Sequence, residues 1–283
     1  MPNTIKEQLK AGLRRSIDWL VGIMRKTRVG RYVYARIVGG AMSRTQTVNH
    51  RGVSLSFSVP NALNQYRADT FSSKEPETLE WIDAIPRGSV VWDIGANVGL
   101  YSCYAAKHRA CRVFAFEPSV FNLELLARNV FLNGLTEQVT LVPLPLTDSL
   151  AISTLNMTTT EWGGALSTFG QDYGHDGRAM LQVFRFPTIG LSMLDAVQLL
   201  KIPAPDYIKM DVDGIEHLIL KGGVPILEKV KGVLIEINDS FAAQADDAGR
   251  YLRQAGLSMR EKRHAEIFDT GMAQHTFNQI WAR

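Results

Sequence analysis

The sequence of 283 residues lacks the features that mark secreted, metal-binding and membrane-spanning proteins. Its only cysteines are Cys103 and Cys111, too few for a disulfide framework and at no spacing typical of a metal site. No segment reaches the roughly 20 consecutive apolar residues of a membrane span, and the apolar stretch at residues 19–24 is too short for a signal peptide. We therefore expect a cytoplasmic protein with two buried, reduced thiols.

Charge is unevenly distributed along the chain, although the net charge is only +3. Residues 1–45 contain ten Lys or Arg against two acidic residues, so this segment carries +8 and the remainder carries −5. The segment also has apolar residues at steps of three and four, which predicts an amphipathic helix with a basic outer face. The helix would either pack against the rest of the chain or lie on an anionic membrane surface. Its apolar positions are Ile5, Leu9, Leu13, Ile17, Leu20, Val21 and Met24.

A strand–loop–helix pattern near residue 95 organises the rest of the chain. A short apolar run leads into Asp93, and Gly95 and Gly99 follow before a helix-like run. Glycine lets a ligand approach the backbone closely, and a helix N-terminus offers free N–H groups. The spacing Asp93-x-Gly95-x-Asn97-x-Gly99 is not the dinucleotide fingerprint Gly-x-Gly-x-x-Gly. An acid before the loop suits an amine better than a pyrophosphate, so the loop favours S-adenosylmethionine over NAD.

A second acidic residue ends the next predicted strand. The apolar run at residues 111–116 leads into Glu117, and the distance from Asp93 accommodates one crossover helix between parallel strands. An acid at such a strand end commonly binds ribose hydroxyls. We therefore place Glu117 and the nearby Ser119 among the cofactor-binding residues. Asp148, after the third strand, would accept from the adenine amine or, alternatively, be an ordinary turn residue.

Three segments resemble the FkbM family of S-adenosylmethionine-dependent methyltransferases in order and spacing. They are DIGANVGLYS from residue 93, FEPSVFNLELLARNVFLNG from residue 116 and IKMDVDGIEHLILKGG from residue 208. The third segment has Asp213 where the family usually has Glu. The resemblance covers residues 75–238 and implies a Rossmann-like methyltransferase domain. It also implies a hydroxyl of a sugar, a polyketide or a similar small acceptor as the methylated group.

The predicted fold is an α/β, Rossmann-like, class I methyltransferase sandwich with a seven-stranded, mostly parallel sheet. We place an N-terminal basic helical arm at residues 1–50 and the methyltransferase domain at residues 51–283. The domain opens with a lead-in strand and helix at 51–87 and continues as the cofactor-binding core at 88–283. Two prolines after Val142 predict an irregular end to the third strand. Residues 157–178 predict a long surface segment of the kind that often serves as a lid.

The strand that ends near residue 211 is a second chemical centre, because two acids and a glycine follow it. Ligands of open parallel sheets lie beyond the carboxyl ends of the strands, so Asp211 should face the same crevice as Asp93. We predict that Asp211 acts as the base or orients the acceptor, with Glu216 as the second candidate. The ammonium group of Lys209 would influence the ionisation of these two carboxyl groups. His217 and His264 are alternatives, although a lone histidine is more often an ordinary surface or core residue. An unpaired buried ammonium is costly, so we expect Lys209 to pair with one of Asp211, Asp213 or Glu236.

The sequence thus predicts methyl transfer from S-adenosylmethionine to a hydroxyl of a sugar, a glycan or a small secondary metabolite. One alternative is an NAD-dependent oxidoreductase, which the missing third glycine disfavours. Another is a non-catalytic module with the cofactor fold, which the retained acids disfavour. A protein or nucleic-acid acceptor is a further alternative, although no aromatic–proline tetrad for base amines is visible and we expect no nucleic-acid partner. No metal site is predicted, and the basic arm is a candidate for peripheral contact with the inner face of the membrane.

Overall fold

The computed structural model describes residues 2–271 and 273–283, with side chains from residue 8 onward. The chain begins with two helices and a hairpin, followed by two short helices. These elements are α1 (Pro2–Met24), α2 (Arg28–Met42), β1 (Thr45–His50), β2 (Val53–Ser58), α3 (Ala62–Asp69) and α4 (Pro76–Ala84). The predicted lead-in strand and helix are present as β2 and α4. The domain boundary that we placed after residue 50 falls in the turn of the hairpin.

The core then alternates strands and helices. Its first half consists of β3 (Val90–Ile94), α5 (Leu100–Arg109), β4 (Arg112–Phe116), α6 (Val120–Leu132), β5 (Val139–Val142), β6 (Ala151–Met157), β7 (Ser167–Phe169) and β8 (Phe184–Gly190). Its second half consists of α7 (Met193–Gln198), β9 (Tyr207–Met210), α8 (Glu216–Lys221), α9 (Val224–Leu227), β10 (Gly232–Asn238), α10 (Ala242–Gln254), β11 (Ser258–Arg263), a 3₁₀ turn (Glu266–Phe268) and β12 (Thr276–Ala282).

Seven strands form the central sheet in the order β11-β12-β10-β9-β3-β4-β5. The five strands from β10 to β5 are parallel, and β12 lies antiparallel to β10. β11 pairs antiparallel with β12 and so runs in the same direction as the five. Successive side chains of a strand face opposite sides of a sheet, and the buried residues accordingly form two apolar clusters. In β3, Val91 belongs to one cluster and Trp92 to the other. The predicted seven-stranded α/β fold is confirmed.

The strand order reverses between β3 and β9, and this reversal places the site. From β3 the chain runs outward through β4 and β5, and it returns to the other side of β3 as β9. Asp93 pairs in register with Lys209, so the loops after β3 and β9 leave the sheet side by side. Crevices at such reversal points are the usual ligand sites of open α/β sheets.

The lid-like segment of the sequence is more ordered than its composition suggests. Part of it forms β7, which joins β6 and β8 in a separate three-stranded antiparallel sheet. A three-residue strand in a Gly- and Thr-rich stretch gives little periodicity, and Pro187 within β8 is typical of an edge strand, so the sequence did not predict this sheet. The third core strand does end before the two prolines, as expected.

The predicted amphipathic helix is present as α1, and a second helix that the sequence analysis missed, α2, follows it. The apolar side chains of α1 do not pack against the core, since Leu9, Leu13 and Ile17 are 69%, 64% and 50% exposed. The predicted apolar position Ile5 lies outside the residues whose side chains are described. In the described part of the chain, none of the helices has the length and apolar character that crossing a bilayer requires.

Candidate functional site

Two glycines shape the loop after β3, each for a different steric reason. Gly95 has a positive φ of 82°, and a Cβ there would lie 1.8 Å from the carbonyl oxygen of Asp211. The loops after β3 and β9 can therefore touch only because residue 95 has no side chain. Gly99, with a φ of 79°, precedes α5, and a Cβ there would lie 2.1 Å from Cδ1 of Leu126. The sequence Gly95-x-x-x-Gly99 thus brings the two strand ends together and packs α5 against α6.

The Glu117 carboxylate closes this loop from the next strand. Its Oε2 accepts a hydrogen bond from the backbone N–H of Asn97 at 2.8 Å, and its Oε1 accepts one from Ser119 N–H at 2.8 Å. Burial raises the pKa of Glu117 to about 7. Each carboxylate oxygen has a further lone pair, so Glu117 can also accept hydrogen bonds from hydroxyls of a ligand. The Ser119 side chain caps α6. The cap fixes the backbone of Ser119, whose N–H in turn holds the Glu117 carboxylate.

A first cleft of ≈ 560 Å³, here called the cofactor cleft, lies against this loop. One side is polar and includes Gly95, Asn97, Glu117 and Asp211, whereas the other is apolar. The apolar lining residues include Phe116, Leu144, Leu146, Leu155 and Phe169. An apolar slot suits an adenine ring, and a buried carboxylate beside it suits a ribose. The residues present therefore fit S-adenosylmethionine.

Beneath the cleft, Lys209 bridges the two acidic strand ends. Its Nζ lies 3.7 Å from Oδ1 of Asp93 and 3.6 Å from Oδ2 of Asp211. Burial alone would lower the pKa of Lys209, but these two carboxylates outweigh it and raise the pKa above its usual value. The second oxygen of Asp93 accepts a hydrogen bond from Ser102 at 2.6 Å. The predicted pair with Asp211 is present, and the other partner is Asp93.

A second cleft of ≈ 840 Å³, here called the polar cleft, shares the Asp211 wall with the first. Lys74 and Glu75, which precede α4, enter it as an ion pair with 2.6 Å between Nζ and Oε1. Burial alone would raise the pKa of Glu75, but the ammonium groups of Lys74 and Lys209 outweigh it and hold the pKa below its usual value. The charged residues that line the cleft are Arg67, Lys74, Glu75, Lys209, Asp211, Asp213 and Glu236.

The sequence did not assign Lys74 or Glu75 to the site. They stood at the beginning of a predicted helix, where charged residues are ordinary. Only packing of the lead-in segment against the sheet brings them to the strand ends. Glu236 did carry a signal, because it lies near the end of a predicted parallel strand. Among the described residues, no group of three or more His, Cys, Asp or Glu has a geometry suited to a metal ion.

Residues 162–167, here called the strap, run beside both clefts, because Ala165 lines the two of them. Several side chains hold its backbone to the elements around the clefts. Near α3, Asn61 and Asn64 donate to the carbonyl of Trp162 at 3.0 and 2.8 Å, and Arg67 donates to that of Gly163 at 2.7 Å. On the cofactor side, Asn97 and Asn122 donate to the carbonyl of Gly164 at 2.9 and 3.0 Å, and Asn122 also accepts from Gly163 N–H at 3.0 Å.

Asp213 holds the other end of the strap. Its Oδ2 accepts hydrogen bonds from the backbone N–H of Leu166 at 2.7 Å and of Ser167 at 3.3 Å. Burial, with the neighbouring Asp211, raises the pKa of Asp213 to about 6. The residue at which the sequence departs from the family pattern therefore binds backbone at the boundary of the two clefts.

Five of the predicted site residues line neither cleft. Asp93, Gly99 and Ser119 support the cleft walls from behind, whereas Asp148 and Glu216 make their contacts elsewhere. Asp148 pairs with Lys221 of α8, with 2.8 Å between Oδ2 and Nζ. Glu216 is only 2% exposed, and its carboxylate accepts from the N–H groups of Val212 and Gly214 at 3.1 Å each and from the Gln244 side chain. Burial raises the pKa of Glu216 to about 7. Glu216 thus holds the loop after β9 from its buried side. Residues that precede Asp148, and not Asp148 itself, line the cofactor cleft.

Comparison with known proteins agrees with this geometry. Residues 93–259, more than half of the chain, match the Methyltransferase FkbM domain. The hexuronic acid methyltransferase AglP of Haloferax volcanii is 24% identical over 220 residues, which cover 77% of this chain and 84% of that protein. The ribosomal protein arginine N-methyltransferase rmt3 of Schizosaccharomyces pombe is 32% identical over 83 residues, 29% of this chain and 15% of that protein.

Solved structures are similar at a greater distance. The tRNA m1G37 methyltransferase of M. jannaschii superposes with a TM-score of 0.45 at 12% identity, covering 84% of this chain and 56% of that one. The family match over residues 93–259 includes the loop after β3, Glu117 and the end of β9. The chain therefore belongs to the FkbM methyltransferase family, and the prediction of an S-adenosylmethionine-dependent methyltransferase is confirmed.

Proposed function

We propose that the protein methylates a hydroxyl oxygen of a sugar, with a hexuronic acid as the first candidate acceptor. The observation that carries this proposal is the position of Asp211, which lines both the cofactor cleft and the polar cleft. The sugar class is supported by the similarity to AglP over most of both chains. The abundance of hydrogen-bonding groups in the polar cleft suits a polyhydroxylated ring.

In this proposal, the cofactor cleft holds S-adenosylmethionine, which supplies an electrophilic methyl group when bound. Glu117 accepts hydrogen bonds from the ribose hydroxyls, and the apolar side of the cleft packs against the adenine. The backbone around Asn97 faces the amino-acid end of the cofactor, and Asp93 lies buried beneath it. Asp148, which pairs with Lys221, has no part in the proposed adenine site, although we had placed it there from the sequence.

Asp211 is the proposed acceptor-facing group. An alcohol is a weak nucleophile until a base lies within hydrogen-bond reach of its proton, and Asp211 is a carboxylate that is 31% exposed beside both clefts. The ion pair with Lys209 fixes the carboxylate, so it can orient the acceptor hydroxyl and take its proton. Glu216, our second candidate from the sequence, has both oxygens occupied beneath the loop and is better explained as a structural residue.

Two measurements test the proposal. Calorimetry should show that S-adenosylhomocysteine binds while NAD does not. An assay with methyl-labelled cofactor should show methyl transfer to hexuronic acids, free or in glycosides, in preference to the matched neutral hexoses. A wild-type protein that binds NAD alone would overturn the cofactor assignment. Cofactor binding without transfer to any sugar would overturn the acceptor assignment.

We also propose that the arm formed by α1 and α2 binds anionic membrane surfaces. Leu9, Leu13 and Ile17 of α1 and several residues of α2, such as Val29 and Tyr32 at 74% and 68%, are exposed, and residues 1–45 carry +8. Each basic residue near an anionic surface adds about 1 kcal/mol to binding, and exposed apolar side chains add partition energy. The arm would then bring the protein to acceptors at the inner face of the membrane.

Sedimentation with vesicles tests the arm. The protein should pellet with phosphatidylglycerol vesicles at low salt, remain in solution with phosphatidylcholine vesicles, and be released as salt rises. Leu13→Asp should weaken pelleting, whereas Leu181→Asp, at an even more exposed position outside the arm, should not. Equal pelleting of both variants would contradict the proposal.

A further inference from the structure

A further space of ≈ 710 Å³, here called the outer chamber, adjoins the polar cleft. Lys74, Asp213 and Glu236 line both spaces. The far wall of the chamber comes from the C-terminal end of the chain, where the 3₁₀ turn and the start of β12 contribute Phe268 and Thr276. The proposed methylation site at Asp211 lies in the polar cleft, next to these shared residues.

The outer chamber offers one aromatic surface within a polar lining. Phe268 is partly exposed, and Nζ of Lys74 lies 5.6 Å from its ring centroid. Beside it, His264 stacks on Phe277 with 4.4 Å between ring centroids. Its Nδ1 lies 2.9 Å from the carbonyl oxygen of Thr276, which can only accept, so Nδ1 is the donor. The imidazole therefore stiffens the wall that presents Phe268 and Thr276.

Two polar groups in this lining have no hydrogen bond to the described residues. Thr276 is only 8% exposed, and its Oγ1 has no partner there. Glu236 is half-buried and likewise accepts no hydrogen bond from the described residues, unlike Glu75, Asp93 and Asp213 around it. Because buried polar groups are normally satisfied, the Thr276 hydroxyl indicates a ligand with hydrogen-bonding groups in this chamber, and the carboxyl group of Glu236 is open to the same ligand.

We propose that the outer chamber is a second acceptor subsite, which binds the sugar unit adjoining the methylated one. The acceptor is then a disaccharide or a longer glycan. A sugar ring has an apolar face of C–H groups and a rim of hydroxyls, which matches an aromatic surface surrounded by Thr276, Glu236 and Asn278. This inference depends on the proposed function, because a subsite for a second sugar requires a sugar acceptor. The proposed function does not depend on the subsite, since a single sugar would occupy the polar cleft alone.

Binding to the protein saturated with S-adenosylhomocysteine tests the subsite without turnover. The probes are D-glucuronate and glucuronate-terminated disaccharides with 1→3 and 1→4 linkages, measured by calorimetry. At least one disaccharide should bind about tenfold more tightly than the monosaccharide, the effect of one well-packed aromatic contact. Phe268→Ala should abolish this difference and leave monosaccharide affinity unchanged. Phe131→Ala, at an exposed position on α6, is the matched control and should change neither affinity.

Three results would overturn the inference, and they differ in what else they affect. Equal affinity for one and two sugar units would remove the subsite and leave the proposed function intact. Equal weakening of both probes by Phe268→Ala would assign Phe268 to the general structure of the site. If no sugar binds while S-adenosylhomocysteine does, the sugar acceptor itself is wrong and the subsite is wrong with it. Should Phe268→Ala fold poorly, Thr276→Val removes the unpaired hydroxyl at nearly constant volume and must lower only the disaccharide affinity.

Discussion

The cofactor cleft and the polar cleft meet at Asp211, and each contains one buried glutamate that is stabilised in a different way. In the cofactor cleft, Glu117 accepts from backbone N–H groups of its own and the adjacent loop. In the polar cleft, Glu75 is balanced by the ammonium groups of Lys74 and Lys209. Both glutamates are about equally buried, at 6% exposure.

As a result, the pKa values of Glu117 and Glu75 are shifted in opposite directions. Burial dominates at Glu117, whose backbone donors carry no net charge, and raises its pKa to about 7. At Glu75 the two cations outweigh burial, and the pKa is lowered. A cleft lined with neutral donors can therefore hold an acid that titrates near neutral pH, whereas the ion-paired cleft keeps Glu75 charged. Four experiments test this contrast.

The largest effect is expected where the two clefts touch. Gly95→Ala would place a Cβ 1.8 Å from the Asp211 carbonyl, so the loops must separate and both cofactor binding and turnover should be lost. Gly52→Ala is the matched control, because Gly52 has a similar φ of 79° but no atom within 4 Å of its Cβ position. It should lower stability by about 1–2 kcal/mol and leave cofactor binding unchanged. Calorimetry and thermal unfolding measure both, and normal binding by Gly95→Ala would contradict the close contact.

Removing the charge at the shared wall should affect chemistry and spare binding. Asp211→Asn should lower kcat by about 10²-fold or more if the carboxylate takes the proton, with S-adenosylhomocysteine affinity nearly unchanged. Asp239→Asn, which alters a more exposed acid paired with Lys262, is the control. Wild-type turnover by a stable Asp211→Asn protein would limit Asp211 to a structural role.

Within the cofactor cleft, Glu117→Ala should weaken S-adenosylhomocysteine binding by about 1.5–3 kcal/mol, or roughly 10- to 150-fold in Kd, because the ribose loses a charged acceptor. Glu124→Ala removes an exposed glutamate of α6, seven residues away, that pairs with Arg128. This control should bind like wild type. If Glu117→Ala also binds like wild type, the ribose lies elsewhere.

The smallest effect is a pH dependence that separates the two types of acid. The pKa of Glu117 is raised to about 7 in the free protein, and hydroxyl donors of a ligand favour the ionised carboxylate. Binding must therefore displace a proton below pH 7, and the affinity for S-adenosylhomocysteine should fall by about tenfold between pH 8 and pH 6. Glu117→Gln should bind more weakly and show a flatter profile. An unchanged slope in this variant would assign the titration to another group.

The sequence predicts the cofactor cleft better than it predicts the polar cleft. Asp93, Glu117 and Asp211 each end a strand with a clear apolar pattern, and neighbouring parallel strands bring such ends to one edge of a sheet. The polar cleft also depends on Lys74 and Glu75, which lie more than a hundred residues from Asp211. Their approach is set by tertiary packing, for which the sequence offers no local pattern.

Asp148 and Glu216 were assigned to the site from the sequence, and both point away from the clefts for a similar reason. Asp148 follows its strand as expected, but Lys221, 73 residues later, lies close enough to pair with it. Glu216 lies in the first turn of α8, where its side chain turns back beneath the preceding loop and not toward solvent. In both cases the position along the chain was right, and the direction of the side chain depended on a partner that spacing could not indicate.

The strap has an evolutionary consequence. The hydrogen bonds that the neighbouring side chains of α3, α6 and the two loops make to it all involve its main-chain atoms. Its own exposed side chains at Ala165 and Leu166 are therefore not required for attachment, although they line the clefts. Selection can change these two positions, and with them the acceptor that fits, while the cofactor loop stays as it is. Diversification of substrate range within such a fold can thus proceed by small substitutions at a few residues of one segment.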